Sequence, residues 1–133
     1  MYKTKSAQKV NIEASPCKSR LTAIDDTLYV IGGKWKLKII IALKEEGNMR
    51  FNELQRTITE ISARVLSNEL KELEMNGFIK RKVYTISPVV IEYELTDYSN
   101  TLGNVLQAMV DWGTKHRKKI RSDAKKERLV SSR

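Results

Sequence analysis

The sequence predicts an α+β fold that is mainly α. Two observations carry this. Apolar residues recur at three- and four-residue steps along most of the chain. Only from Phe78 to Thr96 does the pattern change to β-branched and aromatic runs that read as a pair of strands. The length of 133 residues fits one domain with its own core, needing neither disulfides nor a structural metal.

Residues 1–16 are polar and without a sustained period, which predicts a flexible arm ended by Pro16. A domain over 17–116 follows, and then a basic tail over 117–133. From Leu21, the apolar positions Leu21, Ile24, Leu28 and Ile31 mark a helix stripe, stopped by Gly32-Gly33. "KWKLKIIIALKEEG" predicts a second helix with Trp35, Ile39, Ala42 and Leu43 on one inward face. Lys34, Lys36 and Lys38 oppose its dipole at the start, as lysines serving an outside anion or simply solvated would do. "NMRF" is a short strand or turn. Asn52 with Gln55 three residues later sets a capping-box start for a brief third helix, with Phe51, Leu54 and Ile58 inward. After the turn "TEI", Ser62 caps a longer helix that ends at Asn76-Gly77. "FIKRKVYTI" and "VVIEYELT" then form a hairpin around Ser87-Pro88, with Tyr93 and Leu95 alternating with Glu92 and Glu94. A last helix begins near Ser99, carries Leu102, Val105, Leu106, Met109 and Trp112 on one side, and can run on past His116.

On a helical wheel of Ser62 to Asn76, the leucines Leu66, Leu70 and Leu73 fall together and face the core. Arg64, Asn68, Lys71 and Met75 lie opposite, with Ser67 at the edge. Donors therefore fill the N-terminal half of this helix, while Glu69, Glu72 and Glu74 flank the stripe towards its C-terminal half. A recognition helix enters the major groove by its N-terminal part. Arginine can pair with a guanine edge and asparagine with adenine; Ser62, Ser67 and Lys71 suit phosphates. Alone this is an ordinary solvated helix face. A short helix before it and a hairpin after it make the order that of a winged helix–turn–helix. Lys80, Arg81 and Lys82 lie on the first wing strand, where alternate residues must face opposite sides.

The net charge of +9 adds less than it promises. Residues 1–20 carry +4 and residues 114–133 carry +7, whereas 21–113 carry −2. Basic ends attract phosphate without reading sequence. One cysteine permits no internal disulfide, and with no secretory apolar run or membrane-length segment in view, a cytoplasmic home is expected. A single histidine, His116, and no metal-ligand cluster, phosphate loop or nucleophile elbow leave neither an enzyme nor a metal or cofactor to expect.

The blocks "IGGKWKLKIIIAL", "RFNELQRTITEISARVLSNELKELEMNGFIKRKVY" and "IEYELT", with Trp112-Gly113, closely resemble the HxlR-type winged-helix transcriptional regulators, relatives of MarR, from about Thr22 to His116. The resemblance implies a prokaryotic DNA-binding homodimer whose N- and C-terminal helices form much of the interface. The candidate contacts are Leu21, Ile24, Leu28, Leu106, Met109 and Trp112, with Leu102 and Val105 assigned to the chain's own core. Two-fold symmetry would set two recognition helices about 34 Å apart on an inverted-repeat operator, with Ser62, Arg64, Ser67, Asn68, Lys71, Lys80 and Lys82 as DNA contacts.

The sequence departs from the family at two places. Where the family often carries a cysteine-proline pair it reads Thr22-Ala23, and its one thiol, Cys17, lies five residues earlier beside Lys18. This makes Cys17 a possible redox thiol, with an ordinary free thiol as the plainer reading. At the wing tip, Val90 stands where a basic residue is common. A module that binds protein through the acidic half of the recognition helix is the alternative function, and the −2 of the middle segment keeps it open.

Overall fold

The computed structural model describes residues 15–131. These gather into two compact units, the first ending at Leu95 and the second beginning at Thr96. The arm expected over 1–16 lies, up to residue 14, outside the described residues.

The first helix, α1 (Pro16–Ile31), starts five residues earlier than its apolar stripe. The reason is local. Ser15 accepts a hydrogen bond from Lys18 N through its side chain, and Pro16 supplies the fixed φ of a first helical position. The helix stops at Gly32, whose N–H bonds Leu28 O and where a Cβ would run into that same carbonyl. From Ser15 to Tyr29 every residue of this segment is exposed, and only Ile31 at its end is buried.

α2 (Lys36–Glu46) buries Ile39, Ile40, Ala42 and Leu43. Trp35 is only half-buried, contrary to the inward place expected for it, because it sits at the N-cap with Lys34 and Lys38 over its ring at 4.8 and 5.0 Å. A two-residue strand, β1 (Met49–Arg50), leads directly into α3 (Phe51–Thr57). The cap of α3 lies two residues before the expected Asn52–Gln55 pair: Arg50 N donates to Glu53 Oε1 at 2.8 Å. Pairing of Arg50 with Glu92 holds Arg50 extended, so the helix begins as soon as the strand ends.

α4 (Ala63–Met75) is capped as its sequence predicts, with Ser62 Oγ accepting from Val65 N at 3.2 Å. Its end closes through Phe78 N to Leu73 O and Gly77 N to Glu74 O, with Gly77 at φ 84°, a Schellman closure that needs glycine. Phe78 is buried and turns the chain into β2 (Ile79–Tyr84), which pairs antiparallel with β3 (Val90–Leu95). The sheet order is β1-β3-β2. β3 is therefore central, and all six of its residues are half-exposed rather than alternating as expected. Ile39, Ile40, Leu54, Leu66, Leu70, Leu73 and Ile79 form the fully buried centre of this unit, each worth about 1.5–3 kcal/mol of burial.

The second unit opens with a 3-10 turn, Asp97–Leu102, in which Ser99 Oγ donates to Thr96 O at 2.6 Å. It continues as α5 (Gly103–Ser131), one helix of 29 residues. The basic residues from 117 onward extend this helix without a break. Among the described residues no helix is long and apolar enough to cross a membrane.

Candidate nucleic-acid interface

The helix–turn–helix is α3, the turn 58–62, and α4. Glu60 in that turn holds a left-handed φ of 69°, the one non-glycine residue to do so among the described residues. α4 packs on α2, on α1 and on β2, and buries Leu66, Leu70 and Leu73. The opposite side is open. Arg64, Asn68, Lys71 and Met75 are exposed, Ser67 is half-buried and Ser62 is exposed with its oxygen engaged as the cap. Among the described residues no ion pair holds Arg64 or Lys71, so both cations are available to an external anion.

The acidic flank of α4 is arranged differently from what the wheel implies. Lys36 Nζ lies 2.7 Å from Glu69 Oε1 and 2.7 Å from Glu72 Oε1, and Lys36 is only 7% exposed. Two of the three acids on the recognition helix are thus tied to a lysine of the fold. Burial works to lower the Lys36 pKa, but the hydrogen bonds and charges of Glu69 and Glu72 outweigh it and raise the group above its ordinary 10.5. Lys36 therefore answers an anion within the protein, not one outside. The sequence carries one signal of this: Lys36 is in phase with Ile40 and Leu43, so it belongs to the inward stripe. Which acids it meets depends on packing across 33 residues of chain, which no local period reports.

On the wing, Lys80 and Lys82 share a face. Lys80 is paired across the ladder with Glu94 and Lys82 with Glu92. Lys82 Nζ also lies 5.7 Å from the Tyr84 ring centre, and Tyr84 Oη donates to Glu92 Oε1 at 3.3 Å. Arg81 stands opposite Tyr93, on the other face with Ile79 and Val83. All three wing cations are exposed, but Lys80 and Lys82 have acids as neighbours. Beyond Tyr84 the tip is apolar, with Ile86 and Val89 exposed and Val90 half-exposed.

The helical stripes expected to meet a second subunit differ among themselves. Leu21, Ile24 and Leu28 on α1 are each more than half exposed, as is Trp112 on α5, which stacks on His116 with ring centres 4.8 Å apart. Met109 is likewise exposed, and Val105, assigned to the chain's own core, is exposed too. Leu106, by contrast, is buried at 6% in the single chain. Cys17 lies exposed in the first turn of α1.

A capped recognition helix with an open polar face, a short helix before it and a two-stranded wing after it, joined by β1 into a three-stranded sheet, define a winged helix–turn–helix of the DNA-binding regulator class. The chain belongs to the HxlR-like helix–turn–helix family, whose model matches residues 30–121. It is 48% identical over 90 residues to an uncharacterised HTH-type transcriptional regulator of Halalkalibacterium halodurans, a match covering 68% of this chain and 80% of the relative. Among solved structures it is similar to the redox regulator HypR in its reduced form, with a TM-score of 0.67 and 38% identity over 75% of this chain and 98% of that one. It is also similar to a regulator assigned to the MarR family from Enterococcus faecalis V583, with a TM-score of 0.66 and 34% identity over 82% and 96%. The Halalkalibacterium and Enterococcus relatives, like the family, are transcriptional regulators, not enzymes.

Proposed function

We propose that this regulator acts in the cytoplasm as a homodimer on an inverted-repeat operator in double-stranded DNA, with α4 of each subunit in the major groove. The carrying observation is the division of charge on α4. Its cations Arg64 and Lys71 are exposed, while Glu69 and Glu72 are both held from behind by the single positive charge of Lys36. That division also counts against the alternative, a protein-binding module using the acidic half of the helix, since two of its three carboxylates already hold Lys36. In this reading Arg64 and Asn68 meet base edges, and Ser62, Ser67 and Lys71 meet phosphates. Lys80 and Lys82 add weaker phosphate contact, reduced by Glu94 and Glu92 beside them.

Dimerisation is supported by exposure. A short helix draws most of its stability from packing an apolar face, and from Ser15 to Tyr29 the residues of α1 are exposed. Leu21, Ile24 and Leu28 of α1, and Met109 and Trp112 of α5, are the surfaces a second copy would cover. The test is selection of bound sequences from random duplex DNA, followed by titration across salt. The expected product is a palindromic site with half-site centres one helical turn apart, about 10 base pairs, bound at least a thousandfold more tightly than random duplex. Enrichment of no sequence, or of a single asymmetric site, would overturn the reading.

A further inference from the structure

α5 carries a second charge pattern that the helix–turn–helix does not account for. All eight Lys and Arg side chains between residues 115 and 128 are exposed on one continuous helix. At 100° per residue they fall within an arc of roughly 200°, centred near Lys118 and Lys125. Both acids of the segment, Asp123 and Glu127, fall in the remaining arc, together with His116, Ile120 and Ala124. That cation-free arc is in phase with Val105, Met109 and Trp112 upstream, so one stripe runs the length of the helix with a basic flank outside it. Asp123 is bound to Lys119 at 2.6 Å, which leaves the other cations of the arc to repel one another. Like charges at helical spacing destabilise a helix, a cost that an anionic surface along the arc would offset. The family match ends at residue 121, so Lys125, Lys126 and Arg128 lie beyond the matched residues.

We propose that the basic arc of α5 is a second DNA-contacting element, which lies along duplex phosphates without reading sequence, while the opposite arc continues the subunit-pairing stripe. This rests on the operator reading above. Residues 115–131 span about 25 Å, the length of roughly seven base-pair steps. Duplex DNA is favoured over an anionic membrane because an interfacial helix needs an apolar face to insert. Here the face opposite the cations holds Asp123 and Glu127, and Leu129 sits among the cations.

The test compares three full-length proteins: the natural chain, the neutralised variant K118Q/R121Q/K125Q/R128Q, and the charge-keeping variant K118R/R121K/K125R/R128K. Affinity for a selected site and for random duplex is measured from low to moderate salt. Native mass and helix content by circular dichroism serve as controls for folding. The neutralised variant is expected to keep its site preference while losing affinity about tenfold or more at low salt. Its salt slope should become shallower by about two, one phosphate contact per subunit at roughly 0.9 each. The charge-keeping variant should behave as the natural chain. An unchanged slope in the neutralised variant would overturn the proposal, as would charge-dependent binding of the natural chain to phosphatidylserine vesicles that duplex DNA fails to compete away. A natural chain without site preference would defeat the operator reading alone, because the slope comparison runs equally well on random duplex.

Discussion

Arg64 is two residues past the cap of α4, fully on the open side, with no acid holding it. A guanidinium so placed can grip a guanine edge by two hydrogen bonds. Arg64→Ala is therefore expected to cost about 1–3 kcal/mol on the selected site and to relax preference at one base position. Equal weakening on site and random DNA would make Arg64 a phosphate contact instead. Glu60 offers a stability test in the same motif. Its left-handed φ costs a side chain about 1 kcal/mol, which glycine would not incur. Glu60→Gly is expected to leave the fold as stable or up to about 1 kcal/mol more stable, read by chemical denaturation; a clear loss would mean the side chain is doing something the turn geometry does not reveal. At this scale the sequence was informative where one local rule decides. Ser62 had to be a cap, and Leu66, Leu70 and Leu73 had to face inward. It misled at Asn52, a better cap by residue type than Arg50, because the strand pairing of Arg50 settled where the helix begins.

Between elements, Lys36 fixes how α2 holds α4. Its ammonium is bound at 2.7 Å to carboxylates on two successive turns of the recognition helix, which resists both rotation and sliding of that helix. Lys36→Met strands Glu69, which is largely covered, beside an apolar side chain. The expected cost is about 1–3 kcal/mol at neutral pH, discounted because Glu72 is half exposed. The pH dependence has a definite sign. The folded pKa of Lys36 lies above its unfolded 10.5, so the stabilisation is complete below pH 10.5 and disappears as pH climbs through the folded value. Thermal melts from pH 7 upward should show the gap between the natural chain and Lys36→Met closing only above pH 10.5. A gap that closed near neutrality would assign the effect to some other group. The elements themselves were legible from period and punctuation, as the change at Phe78 illustrates. The Lys36 bridge was not, because residues 36, 69 and 72 come together only through packing.

At the scale of the whole molecule, long exposed helices set the question of assembly. Trp112 is 66% exposed beside an exposed Met109, and Leu28 on α1 is 60% exposed. Exposed apolar surfaces of this kind mark a contact. The apolar stripe of α5 was visible in the sequence as a period, but which of its members stay exposed was not. Leu106 has the right phase yet is buried within one chain, whereas Val105, one residue away, is exposed. Phase tells which side of a helix is apolar and cannot tell which copy of the protein covers it. The distinction gives a prediction: Leu28→Glu and Met109→Glu are each expected to shift the native mass towards that of one subunit, while Leu106→Ala should mainly lower thermal stability and leave the mass unchanged. DNA binding should follow the mass. Two linked half-site readers gain about 10²–10⁴ in avidity over one, so the charged variants should lose that factor on the palindrome and much less on an isolated half-site. If they bound the palindrome undiminished as single subunits, α4 would be acting alone, and the exposed stripes of α1 and α5 would belong to some other partner.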